Sequence, residues 1–155
     1  MCLRLQTVSS PGKKAITALC IPDNNAAYLA VLKDQVEKRY REPGKLSAAK
    51  ATEWHRISLA ILAMGGDPTN FGTDANGEPI NLIADGTYNR GRTTPLGRQG
   101  INGWIWGLIT LDSLRYPVPD DAYYTRDDII EEILCCQLSD GGFALSGEVS
   151  DPDIT

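Results

Sequence analysis

Apolar and aromatic side chains recur every fourth position in the first patterned segment of the chain. Within residues 24–40 they are Tyr28, Leu32, Val36 and Tyr40, and charged residues occupy many of the positions between them. A period near 3.6 residues predicts an amphipathic helix with one buried face. The Pro-Gly pair that follows predicts the end of this helix.

Two further segments are apolar on nearly every side. Ser47 is placed to cap a helix over residues 47–64, whose second half reads ISLAILAM and which two glycines follow. The sequence INGWIWGLITL predicts another helix over residues 101–114. Because a helix without a polar face has no side for water, we expect both helices to be buried all round. We also expect Gly103 and Gly107 to let a neighbouring helix approach closely.

Cap and turn residues predict two more helices. A short helix is predicted at residues 79–84, and Thr125 with Asp128 forms the T-x-x-D pattern that begins a longer one. The inward-facing stripe predicted for this longer helix consists of Ile129, Ile130, Ile133 and Leu134. No segment alternates apolar and polar residues with a period of two, so we predict an all-α chain. Residues 1–23 have a mixed composition and are left unassigned.

Composition narrows the class of protein. The chain is 42% apolar and 23% charged, as in soluble globular proteins, and its net charge of −5 with no basic stripe argues against a nucleic-acid partner. The longest apolar run is too short for a membrane span. His55 is the single histidine and no C-x-x-C is present, so we predict no metal site, and no pattern indicates a cofactor.

The helical pattern repeats along the chain. A buried helix, a connector with proline, an amphipathic helix and an Asp-Gly turn occur twice in that order, and Leu59 aligns with Leu108 at an offset of about 50 residues. Alternating buried and half-exposed helices suit two concentric rings, in which only the outer helices keep a solvated face. We therefore predict that residues 24–155 form part of an α/α barrel.

Residues 129–143, IIEEILCCQLSDGGF, resemble the Q-x-x-D-G-G-[FW] repeat signature of the terpenoid cyclase and protein prenyltransferase α/α toroids. The sequences PLGRQGINGWIWGLITLDS and SDPDIT resemble inner-helix segments of bacterial secreted members, including relatives of cobalamin-carrier toroids. The resemblance implies a partial toroid, cut at its C-terminus before the inner helix that Asp151 and Pro152 would begin. It also implies a secreted or surface-displayed bacterial protein, with the rest of the same toroid as partner.

The resemblance raises one catalytic hypothesis. Class II cyclases carry a D-x-D-D motif at the start of an inner helix, where the middle carboxyl protonates the substrate. In this chain Asp151 and Asp153 match two of the three acids, and Ile154 replaces the last. Two aspartates at the start of a helix also serve as caps. Both interpretations, proton donor and cap, stay open at this point.

A basic loop and two tryptophans are the candidate ligand-binding residues. Arg90, Arg92 and Arg98 cluster in an otherwise acidic chain, and guanidinium groups suit phosphates or carboxylates, although loop arginines also satisfy local carbonyls. Trp104 and Trp106 are candidates to line a cavity, where aromatic faces stabilise cations, or to belong to the core.

These features favour a non-catalytic ligand-binding or interaction module of a larger bacterial protein. They do not identify the small-molecule or protein ligand. The alternative is an isoprenoid-processing enzyme that resembles class II terpene cyclases, with Asp153 as proton donor. The choice between them depends on the resemblance, and a fold shared with a family does not by itself give a function.

Overall fold

The computed structural model describes residues 24–42, 46–90, 95–145 and 148–153, and within them the protein is all-α. No strand occurs in these ranges, and the β pairing among them consists of two isolated bridges. The predicted all-α class is confirmed. The α-helices are α1 (Asn25–Arg41), α2 (Ala51–Ala63), α3 (Leu82–Gly86), α4 (Ile101–Asp112) and α5 (Arg126–Cys135), and a 3₁₀ helix (Leu96–Gln99) precedes α4.

The starts of two helices differ from their prediction. Ser47 does not cap α2, because its hydroxyl oxygen accepts a hydrogen bond from the backbone N–H of Lys50 at 3.1 Å and closes a separate turn ahead of the helix. Similarly, α3 begins at Leu82 rather than at Pro79. The side chain of Asn81 caps it by accepting from the N–H of Ala84 at 2.9 Å. Local turn chemistry thus displaces both starts by three or four residues.

The predicted start of α5, at the T-x-x-D pattern of Thr125 and Asp128, is confirmed. The Thr125 side chain accepts a hydrogen bond from the backbone N–H of Asp128 at 3.1 Å, and the Asp128 carboxylate accepts from the backbone N–H of Thr125 at 2.7 Å. This reciprocal pair satisfies two N–H groups that the first turn of a helix leaves unbonded. The Asp128 carboxylate also accepts from the Thr125 hydroxyl at 2.7 Å, and the two bonds that it accepts from Thr125 lower the pKa of the carboxyl.

α1 and α2 run in opposite directions, whereas the two predicted buried helices, α2 and α4, lie side by side. Arg39 near the end of α1 pairs with Glu53 near the start of α2, and Leu29 near the start of α1 packs beside Gly66 after the end of α2. Thr52, early in α2, donates to the Gln99 side chain just before α4, and further along α2 the ring of His55 faces Gly107. Contacts therefore advance in the same direction along α2 and α4, and the repeat-related Leu59 and Leu108 lie on adjacent helices.

The apolar core consists of two clusters. The first joins α1 to α2 and to the connector around Phe71 and Ile80, with Trp54 and Ile61 fully or nearly buried in it. The second surrounds α4 and contains Leu111, and α3, the 3₁₀ helix and α5 also contribute to it. The side chains of α2 and α3 contribute to both clusters, so these two helices connect them.

The prediction that α2 and α4 are buried all round is wrong. On α4, Trp106 is 39% exposed and Ile109 is also exposed, while Leu59 of α2 is half-buried. These side chains face a surface that no described helix covers. None of the helices in the described ranges is both long enough and apolar enough to cross a membrane.

Gly103 has a different close neighbour from the one expected. A Cβ atom at Gly103 would collide with the carbonyl oxygen of Leu96, in the 3₁₀ helix that precedes α4. Gly107 faces the side chain of Leu96 and, at a greater distance, His55 of α2. The glycine spacing therefore seats the 3₁₀ helix against α4 as well as admitting the neighbouring α2.

The predicted inward stripe of α5 is half correct. Ile129 is completely buried and Ile133 packs against the second cluster, whereas Ile130 is 39% exposed and Leu134 is exposed. Adjacent residues of a helix are offset by about 100°, so these four side chains point over a wide arc of the helix surface. A single packed helix cannot bury all four of them. Contact with α4 selects Ile129 and Ile133.

This difference predicts unequal effects of two adjacent substitutions. Ile129→Ala should lower the free energy of unfolding by about 2 kcal/mol, because it removes buried methyl groups and leaves a cavity. Ile130→Ala, one position further along α5, should change it by less than about 0.5 kcal/mol. Urea denaturation followed by circular dichroism measures both. Equal losses in the two variants would contradict the orientation of α5.

Candidate ligand-binding groove

Arg90, the first arginine of the predicted basic cluster, is buried with 2% of its surface exposed. Its Nη2 atom donates to the carbonyl oxygens of Ser47 and Ala48, both at 2.9 Å. Its guanidinium carbon lies 4.1 Å from the ring centroid of Trp54, which is the distance of a cation–π contact. These contacts give Arg90 a structural role, in which it anchors the turn before α2. A role in binding a ligand stays a prediction.

The other predicted ligand-binding residues are dispersed. Arg98 is exposed on the 3₁₀ helix, and Arg92 lies outside the described residues. Trp104 is buried in the second cluster, where its ring meets that of Tyr124 edge to face at a centroid distance of 5.1 Å. Of the predicted set, Trp106 is the residue that lines a groove along α2.

Asp151 has the geometry of a cap. Its carboxylate accepts a hydrogen bond from the backbone N–H of Asp153 at 2.9 Å, and its own N–H donates to the carbonyl of Phe143 at 2.8 Å. Asp153 is exposed. Bonding to the N–H two residues further on is the local chemistry by which aspartate begins a turn or a helix. Proton donation by either residue stays a hypothesis.

Residues 137–143, the part of the toroid-like signature that follows α5, form a tight loop. Gln137 donates from its side chain to the carbonyl of Gly141 at 2.8 Å, and the N–H of Leu138 donates to the carbonyl of Gly142 at 2.8 Å. Beyond this loop the chain reaches the start of α4, where the carbonyl of Leu145 contacts Gly100 so closely that a Cβ atom there would collide with it. The loop therefore directs the chain from the end of α5 back to the start of α4.

A groove runs along α2 on the side that no described helix covers. It has a volume of about 890 Å³, within the range of pockets that hold small ligands. α1, α2 and α4 all contribute to its lining, and α2 contributes the most residues. The lining residues are Tyr28, Leu32, Arg39, Ser47, Lys50, Thr52, Glu53, Arg56, Ile57, Leu59, Ala60 and Trp106.

One end of the groove is cationic. Arg39, Lys50 and Arg56 line it together with a single carboxylate, that of Glu53. Glu53 already has two partners, since one oxygen lies 3.6 Å from Nη2 of Arg39 and the other accepts from the N–H of Ser47 at 2.7 Å. Neither Lys50 nor Arg56 forms an ion pair with any residue that the structure describes. The groove thus has positive charge in a protein of net charge −5.

The other end of the groove is apolar. Ile57, Leu59 and Ala60 follow Arg56 along α2, and the antiparallel α1 places Leu32 and Tyr28 beside them. Trp106 of α4 lines the same groove. The change from polar to apolar residues follows the order of the α2 sequence, in which ATEWHR precedes ISLAILA.

A buried polar network holds α2 in place behind the groove. The Trp54 Nε1 atom donates to the hydroxyl of Tyr40 at 2.8 Å, and that hydroxyl donates to the Asp85 carboxylate at 2.9 Å. Burial, reinforced by the charge of Asp85, raises the pKa of Tyr40 well above its ordinary value, so this hydroxyl keeps its proton. The network links α1, α2 and α3 and fixes which side of α2 faces the groove.

His55 has one hydrogen-bond partner in the same buried layer. Its Nε2 atom donates to the carbonyl of Gly86 at 2.7 Å, because a carbonyl can only accept. No described residue bonds to its Nδ1 atom. Burial, with the charge of Arg90 adding to it, lowers the pKa of His55 to about 4, although the Gly86 carbonyl opposes that shift. His55 is therefore neutral at pH 7 and has a structural role.

Sequence reasoning missed most of the groove. Arg39, Lys50, Arg56 and Ile57 were not candidates, because each lies within a helix pattern that also suits an ordinary solvated face. The one usable signal was the division of α2 into a charged first half and an apolar second half. In the described ranges, no group of three or more His, Cys, Asp or Glu side chains is placed to hold a metal ion.

Comparison of the chain with protein-family models, with curated proteins and with solved structures finds no match in any of the three.

Proposed function

We propose that this protein is a non-catalytic binding module whose ligand occupies the groove along α2. The observation that carries the proposal is the groove itself, which combines a suitable volume, an exposed tryptophan and two cations, Lys50 and Arg56, without an acidic partner among the described residues. Ligand sites in proteins are typically concave and mostly apolar, with a few polar groups that fix the orientation of the ligand.

We further propose that the helices form an arc of an α/α toroid. Three observations support this arrangement: α1 and α2 are antiparallel, α2 and α4 advance in the same direction, and the loop after α5 returns to the start of α4. Inner helices that share one direction, with outer helices opposed to them, are what a double ring of helical hairpins requires. In such an arc the uncovered side of α2 and α4 faces the centre.

No comparable observation favours the enzymatic alternative. An acid that protonates an isoprenoid has to face the cavity that holds the substrate. Asp151 and Asp153 do not line the groove, and the Asp151 carboxylate is bonded to the N–H of Asp153. The binding function therefore has the stronger support.

A thermal-shift screen of neutral, cationic and anionic small molecules tests the proposed function. Compounds that raise the unfolding temperature of the protein should lose that effect in Trp106→Ala, which removes a wall of the groove, because ligands stabilise only the state that binds them. Ile109→Ala is the matched control, since Ile109 is exposed on the same helix but does not line the groove. A screen without hits, or hits that Trp106→Ala leaves unchanged, would contradict the proposal.

A further inference from the structure

We infer that the groove selects an amphipathic carboxylate, an apolar chain or ring that ends in one carboxyl group. This inference rests on the proposed binding function and adds the chemical class of the ligand. It follows from the way in which the lining residues are sorted along α2, with cations towards the first half of the helix and apolar side chains in the second half.

The charged end fits a carboxylate. Lys50 immediately precedes α2 and Arg56 lies on it; both are exposed, line the groove and have no acidic partner among the described residues, so their charges are available to a ligand. The planar guanidinium of Arg56 can donate two parallel hydrogen bonds to one carboxylate. The start of α2 adds the positive end of a 13-residue helix, which also favours an anion.

The carboxylate of Glu53 disfavours a highly charged ligand. Glu53 lies at the same end of the groove and is held there by Arg39 and by the N–H of Ser47. Its negative charge repels a ligand with several charges more than one with a single charge. Beyond the Arg39–Glu53 pair the groove keeps two positive charges, those of Lys50 and Arg56, so a doubly charged ligand is the competing case, and decyl phosphate tests it.

The apolar end fits a chain of moderate length. From Lys50 to Ala60 the helix advances by about 15 Å, at roughly 1.5 Å per residue. Beyond Arg56 the floor of the groove is aliphatic, and the ring of Trp106 offers a face against which a chain or a ring can pack. An aliphatic chain placed there removes apolar surface of both partners from water, which favours binding.

Titration with decanoate, followed by tryptophan fluorescence, tests the ligand class. Trp106 is the exposed tryptophan of the described residues, and Trp54 and Trp104 are buried, so a change in emission reports mainly on the groove. Decanol and decyltrimethylammonium serve as neutral and cationic probes with the same chain. Decanoate should bind at least about tenfold more tightly than decanol, because only the carboxylate can form charge-assisted hydrogen bonds with the cations of the groove.

Substitutions locate the two ends of the site. Arg56→Glu should weaken decanoate binding at least about tenfold and leave decanol binding unchanged, since it reverses the charge at the carboxylate end. Trp106→Ala should weaken both probes, with isothermal calorimetry as the readout that does not need the tryptophan. Lys33→Glu is the matched control, because Lys33 is exposed on α1 outside the groove, and it should bind decanoate as the unaltered protein does.

The outcomes separate this inference from the proposed function. Equal affinities for decanoate and decanol, or no effect of Arg56→Glu, would overturn the carboxylate assignment while the groove could still bind neutral ligands. Tighter binding of decyl phosphate than of decanoate would also overturn it and indicate a phosphate site. If no probe binds and the broader screen has no hits that depend on Trp106, both the inference and the proposed function fail.

Discussion

Arg90→Ala should lower the free energy of unfolding by about 4 kcal/mol, the largest effect that we expect of any single substitution in this chain. The substitution removes the donor of two hydrogen bonds to the carbonyls of Ser47 and Ala48 and leaves a cavity over Trp54. Urea denaturation monitored by circular dichroism measures the loss.

Two variants keep this prediction testable if the alanine variant does not fold. Arg90→Lys retains the charge but not the planar group that stacks on Trp54, and it should lose about half as much stability. Arg98→Ala is the matched control from the same basic segment, and because Arg98 is exposed it should lose less than about 0.5 kcal/mol. Similar losses for Arg90→Ala and Arg98→Ala would contradict the structural role of Arg90.

Acidification should destabilise the protein through His55 by about 3 kcal/mol between pH 7 and pH 4. Burial lowers the pKa of this histidine from 6.5 to about 4 in the folded protein, whereas the unfolded chain keeps the ordinary value. In that range the unfolded state binds a proton that the folded state does not. The contribution of His55 to the free energy of unfolding is therefore complete above pH 6.5 and decreases as the pH falls towards 4.

The surroundings of His55 explain why its imidazole binds a proton only weakly in the folded protein. A charged imidazole needs two acceptors, but the Gly86 carbonyl receives only Nε2–H, and no described residue accepts from Nδ1. The guanidinium of Arg90 adds repulsion. His55→Gln keeps a side-chain donor without titrating, so the difference in unfolding free energy between the two proteins should shrink as the pH falls. A constant difference across this range would contradict the prediction.

Helix positions could be predicted from the sequence because their signals are local. The four-residue period of α1 and the capping box at Thr125 and Asp128 need no knowledge of the rest of the fold. The starts of α2 and α3 were misplaced because Ser47 and Pro79 offer plausible starts, whereas the side chain of Asn81 and a separate turn at Ser47 set the actual ones.

The buried faces could not all be predicted. The segment INGWIWGLITL is apolar on every side, so its pattern does not indicate which side of the helix faces the core. Contacts with α2, α5 and the 3₁₀ helix decide that Leu111 is buried and Trp106 is exposed. The same holds for Ile129 and Ile130, which are adjacent and chemically identical. Their different burial is a property of the neighbouring helix.

Of the candidate site, sequence reasoning placed Trp106 among the ligand-binding residues but also selected Arg90 and Trp104, which are buried. A cluster of arginines can bind a ligand only if the guanidinium groups reach solvent. In the folded protein the guanidinium group of Arg90 instead packs against the ring of Trp54. The groove combines residues of α1, α2 and α4. No local pattern contains such a combination.

The sequence by itself determined that the chain is helical, where most helices lie, and how α5 begins, because these depend on interactions between residues three or four positions apart. Only the tertiary structure decided which side of α2 and α4 no described helix covers, and which cations have no acidic partner within the described ranges. Those properties depend on the packing of helices that are distant in sequence, and packing selects one face among several that are equally apolar.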